Sequence, residues 1–70
     1  MLEIFDNGDV HCNGSYIGSV CYKSHSGRWT AYLATENGDL PIGQYPTKDG
    51  AALVVAGAHD RLQIVGEWVV

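Results

Sequence analysis

The side chains best suited to chemistry in this 70-residue chain lie in its first third. His11-Cys12 is followed by Cys21 and His25, two thiols and two imidazoles of the kind that hold zinc in four-coordinate sites. The spacing speaks against that use. Neither pair is Cys-x-x-Cys, the spacing of zinc knuckles. With a tight turn at Asn13-Gly14, Cys12 faces Ser15, and Cys21 falls six residues farther along the strand, ~20 Å away at ~3.3 Å per residue. A disulfide needs Cα atoms within ~7 Å, and shared ligation is similarly local. The sequence therefore predicts no metal and no other cofactor. Cys12 and Cys21 read as small strand residues, and the histidines as surface or loop groups.

Other chemistry fares no better. The stretches DNGD (6–9) and ENGD (36–39) lack the ligand spacing of a calcium loop and read as turns. The Ser24-His25-Ser26 stretch has no acid to complete a triad. His59-Asp60 reads as a solvated or capping pair at a helix end. There is no Gly-rich phosphate loop, HExxH or GxSxG. So short a chain is also expected to lack room for a shaped pocket of ~300 Å³. The expectation is a protein that is not an enzyme.

Composition narrows the class further. Seventy residues make one small α+β domain, 1–70. A domain of this size buries only ~60% of the surface of its unfolded chain, and its core rarely supplies more than ~3–5 kcal/mol. That margin leaves room for a homodimer or an obligate partner. Eight acidic against four basic side chains give a net charge of −4, which disfavours DNA as a partner because phosphate binding depends on Lys and Arg. No charged segment followed by an apolar one opens the chain, and no apolar run approaches a membrane span. Two cysteines without a secretory signal read as reduced thiols of a cytoplasmic protein.

The elements that must position any site follow from turns. Asn7-Gly8, Asn13-Gly14 and Asn37-Gly38 are hairpin signals, since Asn-Gly suits the positive φ angles of a two-residue type I′ turn. A fourth turn is expected at 24–27. The result is an antiparallel β-meander with strands near 2–6, 9–12, 15–23, 28–35 and 39–45. The loop at 24–27 pairs Lys23 with Arg28 and Tyr22 with Trp29. A two-residue turn at 37–38 pairs Glu36 with Asp39 and Leu33 with Ile42. One face then collects Val20, Tyr22, Trp29, Ala31, Leu33, Leu40 and Ile42. The other collects Ser19, Cys21, Lys23, Arg28, Thr30 and Tyr32, as a half-buried sheet requires. Pro41 cannot donate to a ladder and places its strand at an edge. After Pro46, Thr47 caps a helix whose stripe Ala51, Val55, Ala58 and Leu62 packs on the sheet, with Asp49 and Arg61 complementing its dipole. Leu53 and Val54 lie off that stripe and predict a second covered face. LQIVGEWVV reads as a C-terminal β-strand at 63–69, whose Trp68, Val69 and Val70 would be buried.

The stretch GRWTAYLATENGDLPIGQYPTKDGAALV (27–54) carries a family likeness: inward Trp29 and Ala31, an Asn-Gly turn, an aromatic at Tyr45, and Thr47-Lys48 opening an Ala-rich helix. From Ser15 to Leu62 the chain resembles the AP2-like fold of integrase arm-binding domains, three antiparallel strands followed by a packed helix. The resemblance implies that the outer sheet face enters a DNA major groove, which here would place Lys23, Arg28, Thr30 and Tyr32 on the DNA. Those domains are basic, whereas this chain is acidic and carries extra strands. In size, acidity and lack of catalytic motifs it is also similar to small phage-encoded inhibitors, anti-CRISPR proteins among them.

The leading expectation is a non-enzymatic protein-binding domain that acts by occlusion, an anti-CRISPR-like inhibitor of a protein or nucleoprotein complex. Its acidic turn residues Asp6, Asp9, Glu36 and Asp39 would face a basic surface. The outer-face residues Lys23, Arg28, Thr30 and Tyr32 form the second candidate contact. The alternatives are an AP2-like DNA-binding module and a structural or assembly protein whose terminal strand completes a partner's sheet.

Overall fold

The computed structural model describes residues 1–69, with side chains through Arg61. Five strands precede one helix: β1 (Leu2–Ile4), β2 (Asp9–Cys12), β3 (Ser15–Lys23), β4 (Arg28–Thr35), β5 (Gly38–Tyr45) and α1 (Lys48–Val69). The strands form one antiparallel sheet in the order β1-β2-β3-β4-β5, the meander expected from the turns, with β5 and its Pro41 at an edge. The α+β architecture follows the sequence reading, except at the C-terminus.

The turns decide the register, and they are of two kinds. Asn13-Gly14 is a true two-residue turn, with φ of 53° and 85° and Cys12 opposite Ser15. At Asn7-Gly8 the loop is longer. The Gly8 N–H donates to the Phe5 carbonyl at 3.0 Å and the Phe5 N–H to the Asp9 carbonyl at 2.9 Å. Only Gly8 takes a positive φ, 98°. This is a tight turn followed by a glycine bulge, a three-residue hairpin loop. It shortens β1 to three residues against the expected 2–6.

The same preference for a left-handed glycine recurs at ENGD, where Gly38 has φ 107° and Asn37 stays on the negative side. Thr35 pairs with Gly38, its hydroxyl donating to the Gly38 carbonyl at 2.5 Å and accepting from the Asn37 N–H at 3.2 Å. The expected pairs Glu36–Asp39 and Leu33–Ile42 are therefore replaced by Ala34–Asp39 and Leu33–Leu40. A slip of two residues keeps every side chain on its face, so the two-faced pattern survives. A bulge beside Ala31 and Tyr32 then brings Gly43 opposite Ala31. The 24–27 hairpin keeps its expected register, Tyr22 with Trp29 and Lys23 with Arg28.

The core lies between the sheet and α1. Val10, Ile17, Val20, Ala31, Leu33, Ala51, Ala52 and Val55 are buried. A second bulge, between Val10 and His11, turns both Ile17 and Gly18 inward. The helix sits close at Gly18, where a Cβ would lie 2.1 Å from the Tyr32 carbonyl oxygen and 2.7 Å from Val55 Cγ1. Thr47 caps the helix as its sequence implies, its hydroxyl accepting from the Gly50 N–H at 3.0 Å.

The expected C-terminal strand at 63–69 is instead helix, because α1 runs without interruption to Val69. The β-branched residues of LQIVGEWVV suggested a strand. Extending an existing helix adds one hydrogen bond per residue fixed, however, and a lone glycine costs only ~1 kcal/mol. His59-Asp60 and Arg61 are consequently mid-helix residues, away from the negative end of the dipole. The expected burial of Leu62, Trp68, Val69 and Val70 lies outside the described side chains. Of the two residues expected on a second covered helix face, Leu53 is 63% exposed and Val54 is half-buried. One helix also leaves the margins of the inner sheet face uncovered, and Tyr22 and Leu40 are about half exposed there.

Candidate docking face

Every second residue of a strand points away from the helix, and on a five-stranded sheet that gives an open outer face. Two groups of side chains occupy it: Lys23 and Arg28 stand at one end of the central strands, Tyr16 and Asp39 at the other, and Asp9 lies level with Ser19 and Tyr32 between them.

The first group contains residues singled out from sequence. Lys23 pairs with Arg28, Cys21 with Thr30 and Ser19 with Tyr32 across β3 and β4. Lys23 Nζ stands 5.9 Å from the centre of the Tyr32 ring, within reach of a cation–π contact. A hydrogen bond to Tyr32, and then the neighbouring Cys21, hold the Lys23 ammonium above its usual range. Arg28 is exposed. Thr30 is the exception among these residues. It is only 6% exposed, and its hydroxyl oxygen has no hydrogen-bond partner. It forms the floor of the patch and offers a partner little contact area.

The second group was only half legible. Asp9 pairs with Ser19 on β2 and β3, and Asp39 with Ala34 on β4 and β5. Between them lies Tyr16, which the sequence reading passed over. Its hydroxyl stands 3.4 and 3.5 Å from the two Asp39 carboxylate oxygens. Burial, and then the charges of Asp39 and Asp9, raise the Tyr16 pKa. Phe5, His11 and Tyr16 form an aromatic row, stacked at 4.6 Å and edge-on at 5.7 Å. The register that places Cys12 opposite Ser15 also sets His11 opposite Tyr16, and this was the signal that could have found the row. Asp6 and Glu36 are exposed in two separate turns, so the four carboxylates do not make one cluster. Asp9 and Asp39 are the pair that share a neighbour.

The residues considered for zinc are parted by the pleat. Cys12 packs against the core, Cys21 is exposed on the outer face, and His25 sits in the 24–27 turn. Among the described residues no three His, Cys, Asp or Glu side chains gather in a metal-binding arrangement.

Among the described residues, open clefts exceed the volume expected for so small a chain. One, of about 470 Å³, lies between β5 and α1 and is lined by Ile42, Tyr45, Leu53, Val54 and Arg61 among others. The second, about 410 Å³, brings Cys12, Asn13 and Ser15 beside His59 and Asp60. Among the described residues no helix is long and apolar enough to cross a membrane. Comparison with protein-family models, curated proteins and solved structures finds no match to this chain.

Proposed function

We propose that this chain is a non-enzymatic protein-binding domain that works by occupancy, docking its outer sheet face on a larger protein or nucleoprotein complex. The observation that carries the reading is the aromatic row Phe5–His11–Tyr16 on an uncovered face, with Phe5 and Tyr16 exposed and His11 half-buried between them, flanked by Asp9 and Asp39. Rigid aromatic side chains supply contact area at low entropic cost, and tyrosine is enriched in binding hot spots. Carboxylates beside them favour a basic surface on the partner. Occlusion of such a surface is how an anti-CRISPR-like inhibitor would act, and a cytoplasmic setting belongs to the same proposal.

The DNA-binding alternative has one supporting observation, the adjacent Lys23 and Arg28 beside Tyr32. Asp9 and Asp39 on the same face oppose it, as does the net charge of −4, since DNA affinity rests on phosphate neutralisation. The assembly alternative required a terminal strand, and that segment is helical.

A photo-crosslinking residue at position 16, with position 53 on the open helix face as control, tests the proposal in cells. Adducts from position 16 to basic segments of another protein are expected. Adducts from position 53 alone would refute the outer-face reading. A low-salt gel shift abolished by Arg28→Ala would establish the DNA alternative in its place.

A further inference from the structure

Two pairs on the outer face differ in charge and sit at opposite ends of the central strands, Lys23 with Arg28 at one and Tyr16 with Asp39 at the other, while Asp9 lies level with Ser19 and Tyr32 between them. Arg28 opens β4, and Asp39 lies beside Ala34, six residues farther along β4, ~20 Å at ~3.3 Å per residue. Lys23 accompanies Arg28, and Tyr16 accompanies Asp39. A face patterned in this way is complementary to itself when turned end over end.

We propose that the outer face binds a second copy of this chain, sheet against sheet, about a twofold axis that runs across the strands near Ala31. This inference rests on the reading of the outer face as a docking surface. In a twofold interface residue i meets j while j meets i. The axis named here reverses strand direction, so Arg28 of each copy meets Asp39 of the other. Lys23 comes over the Tyr16 ring, and the two Tyr32 side chains flank the axis. A twofold parallel to the strands would instead bring the cationic Lys23–Arg28 pairs of the two copies together, and like-charge repulsion disfavours it. Opposed sheets pack ~10 Å apart, a gap that Arg, Lys and Tyr side chains from both sides can fill.

The available area sets the strength. Strands spaced ~4.8 Å apart, three of them about eight residues long and two shorter, offer roughly 500 Å² per copy. The total of about 1,000 Å² stands at the lower limit for a specific interface. The dimer should therefore be weak and salt-sensitive, forming at micromolar rather than nanomolar concentration. It would keep the binding face covered until a partner with the same charge pattern displaces one copy.

Sedimentation velocity on the full chain tests this, with circular dichroism to verify folding. The wild-type species at tens of micromolar should have twice the 7.6 kDa chain mass. Arg28→Glu or Asp39→Lys alone should weaken association at least tenfold. The double variant should dimerise again, and so should an equimolar mixture of the two singles, because each heterodimer then carries one native and one inverted pair. A wild-type monomer at several hundred micromolar would overturn the inference. So would singles that associate as the wild type does, or a folded double variant that stays monomeric. These results leave the partner proposal standing if position 16 crosslinks to another protein. A dimer without such adducts would sink the partner proposal alone.

Discussion

Gly18 offers the sharpest test of how the sheet and helix are held together. Two contacts would oppose a Cβ there, the Tyr32 carbonyl oxygen at 2.1 Å and Val55 Cγ1 at 2.7 Å. They differ in what relieves them. Val55→Ala removes the methyl group and, alone, should cost about 2 kcal/mol, from two lost methyl contacts at ~0.8 kcal/mol each plus a small cavity. The carbonyl oxygen belongs to β4 and cannot retreat without parting β3 from β4. Gly18→Ala should therefore cost at least the ~1–3 kcal/mol typical of overpacking, and the 2.1 Å backbone contact places it at the upper end. The double variant should show no rescue. Urea denaturation followed by Trp29 fluorescence measures all three. On a core that supplies only ~3–5 kcal/mol, Gly18→Ala should leave at most ~2 kcal/mol, a chain that begins to unfold at low urea. A Gly18→Ala protein within 1 kcal/mol of wild type would refute the reasoning, as would recovery of its stability on adding Val55→Ala.

Other expectations follow from the turns, the cap and Tyr16. Gly8→Ala should be far more damaging than Gly14→Ala. Both glycines have positive φ, but a Cβ at Gly8 would lie 2.3 Å from the Val20 carbonyl oxygen, whereas nothing stands within 4 Å of one at Gly14. Equal losses in a denaturant titration would contradict this. Thr47→Ala removes the helix cap and should cost ~1 kcal/mol, a fall of about 4–8 °C in Tm for a domain of this size; an unchanged melt would dismiss the cap. Tyr16 should ionise at higher pH than an ordinary tyrosine, because burial and the charges of Asp39 and Asp9 oppose its anion. The unfolded chain then loses its proton first, so stability should decline as pH rises from about 10 through the folded value. Asp39→Asn should narrow that window in an ultraviolet titration of tyrosinate, and a window it leaves unchanged would remove Asp39 as a cause.

Much of the sheet was legible because two sequence signals agree there. The 24–27 loop and the alternation of Val20, Tyr22, Trp29 and Ala31 fix the same register, and the structure keeps it. ENGD was misread because Asn-Gly admits two turn geometries, and an acidic residue before it does not reveal whether Asn or only Gly will adopt positive φ. Asn13 does at 53°, while Asn7 and Asn37 do not. The C-terminal segment was misread because β-branched residues report strand propensity, while the helix already formed upstream decides their state. On the outer face, Lys23, Arg28 and Tyr32 were found by alternation alone. Tyr16 was within reach of the Asn13-Gly14 register, which sets it opposite His11, but its contact with Asp39 lies two strands away, beyond local pairing. The burial of Thr30 was hidden as well, since it depends on what surrounds a small side chain and not on its own type.

The order β1-β2-β3-β4-β5 has a consequence for how this chain reaches its fold. Each pairing joins strands adjacent in sequence, so each closes a loop of only a few residues, and the entropy lost in closure is small. Such a sheet can zip outward from its turns in microseconds to milliseconds. The docking of α1 onto β3 is different, because it brings together segments separated by two strands. It is the slow, non-local event, and it completes a core that the sheet cannot close alone. Weakening that contact at Val55 should then act on the unfolding rate more than weakening a turn does, and the turns should govern how fast the chain folds.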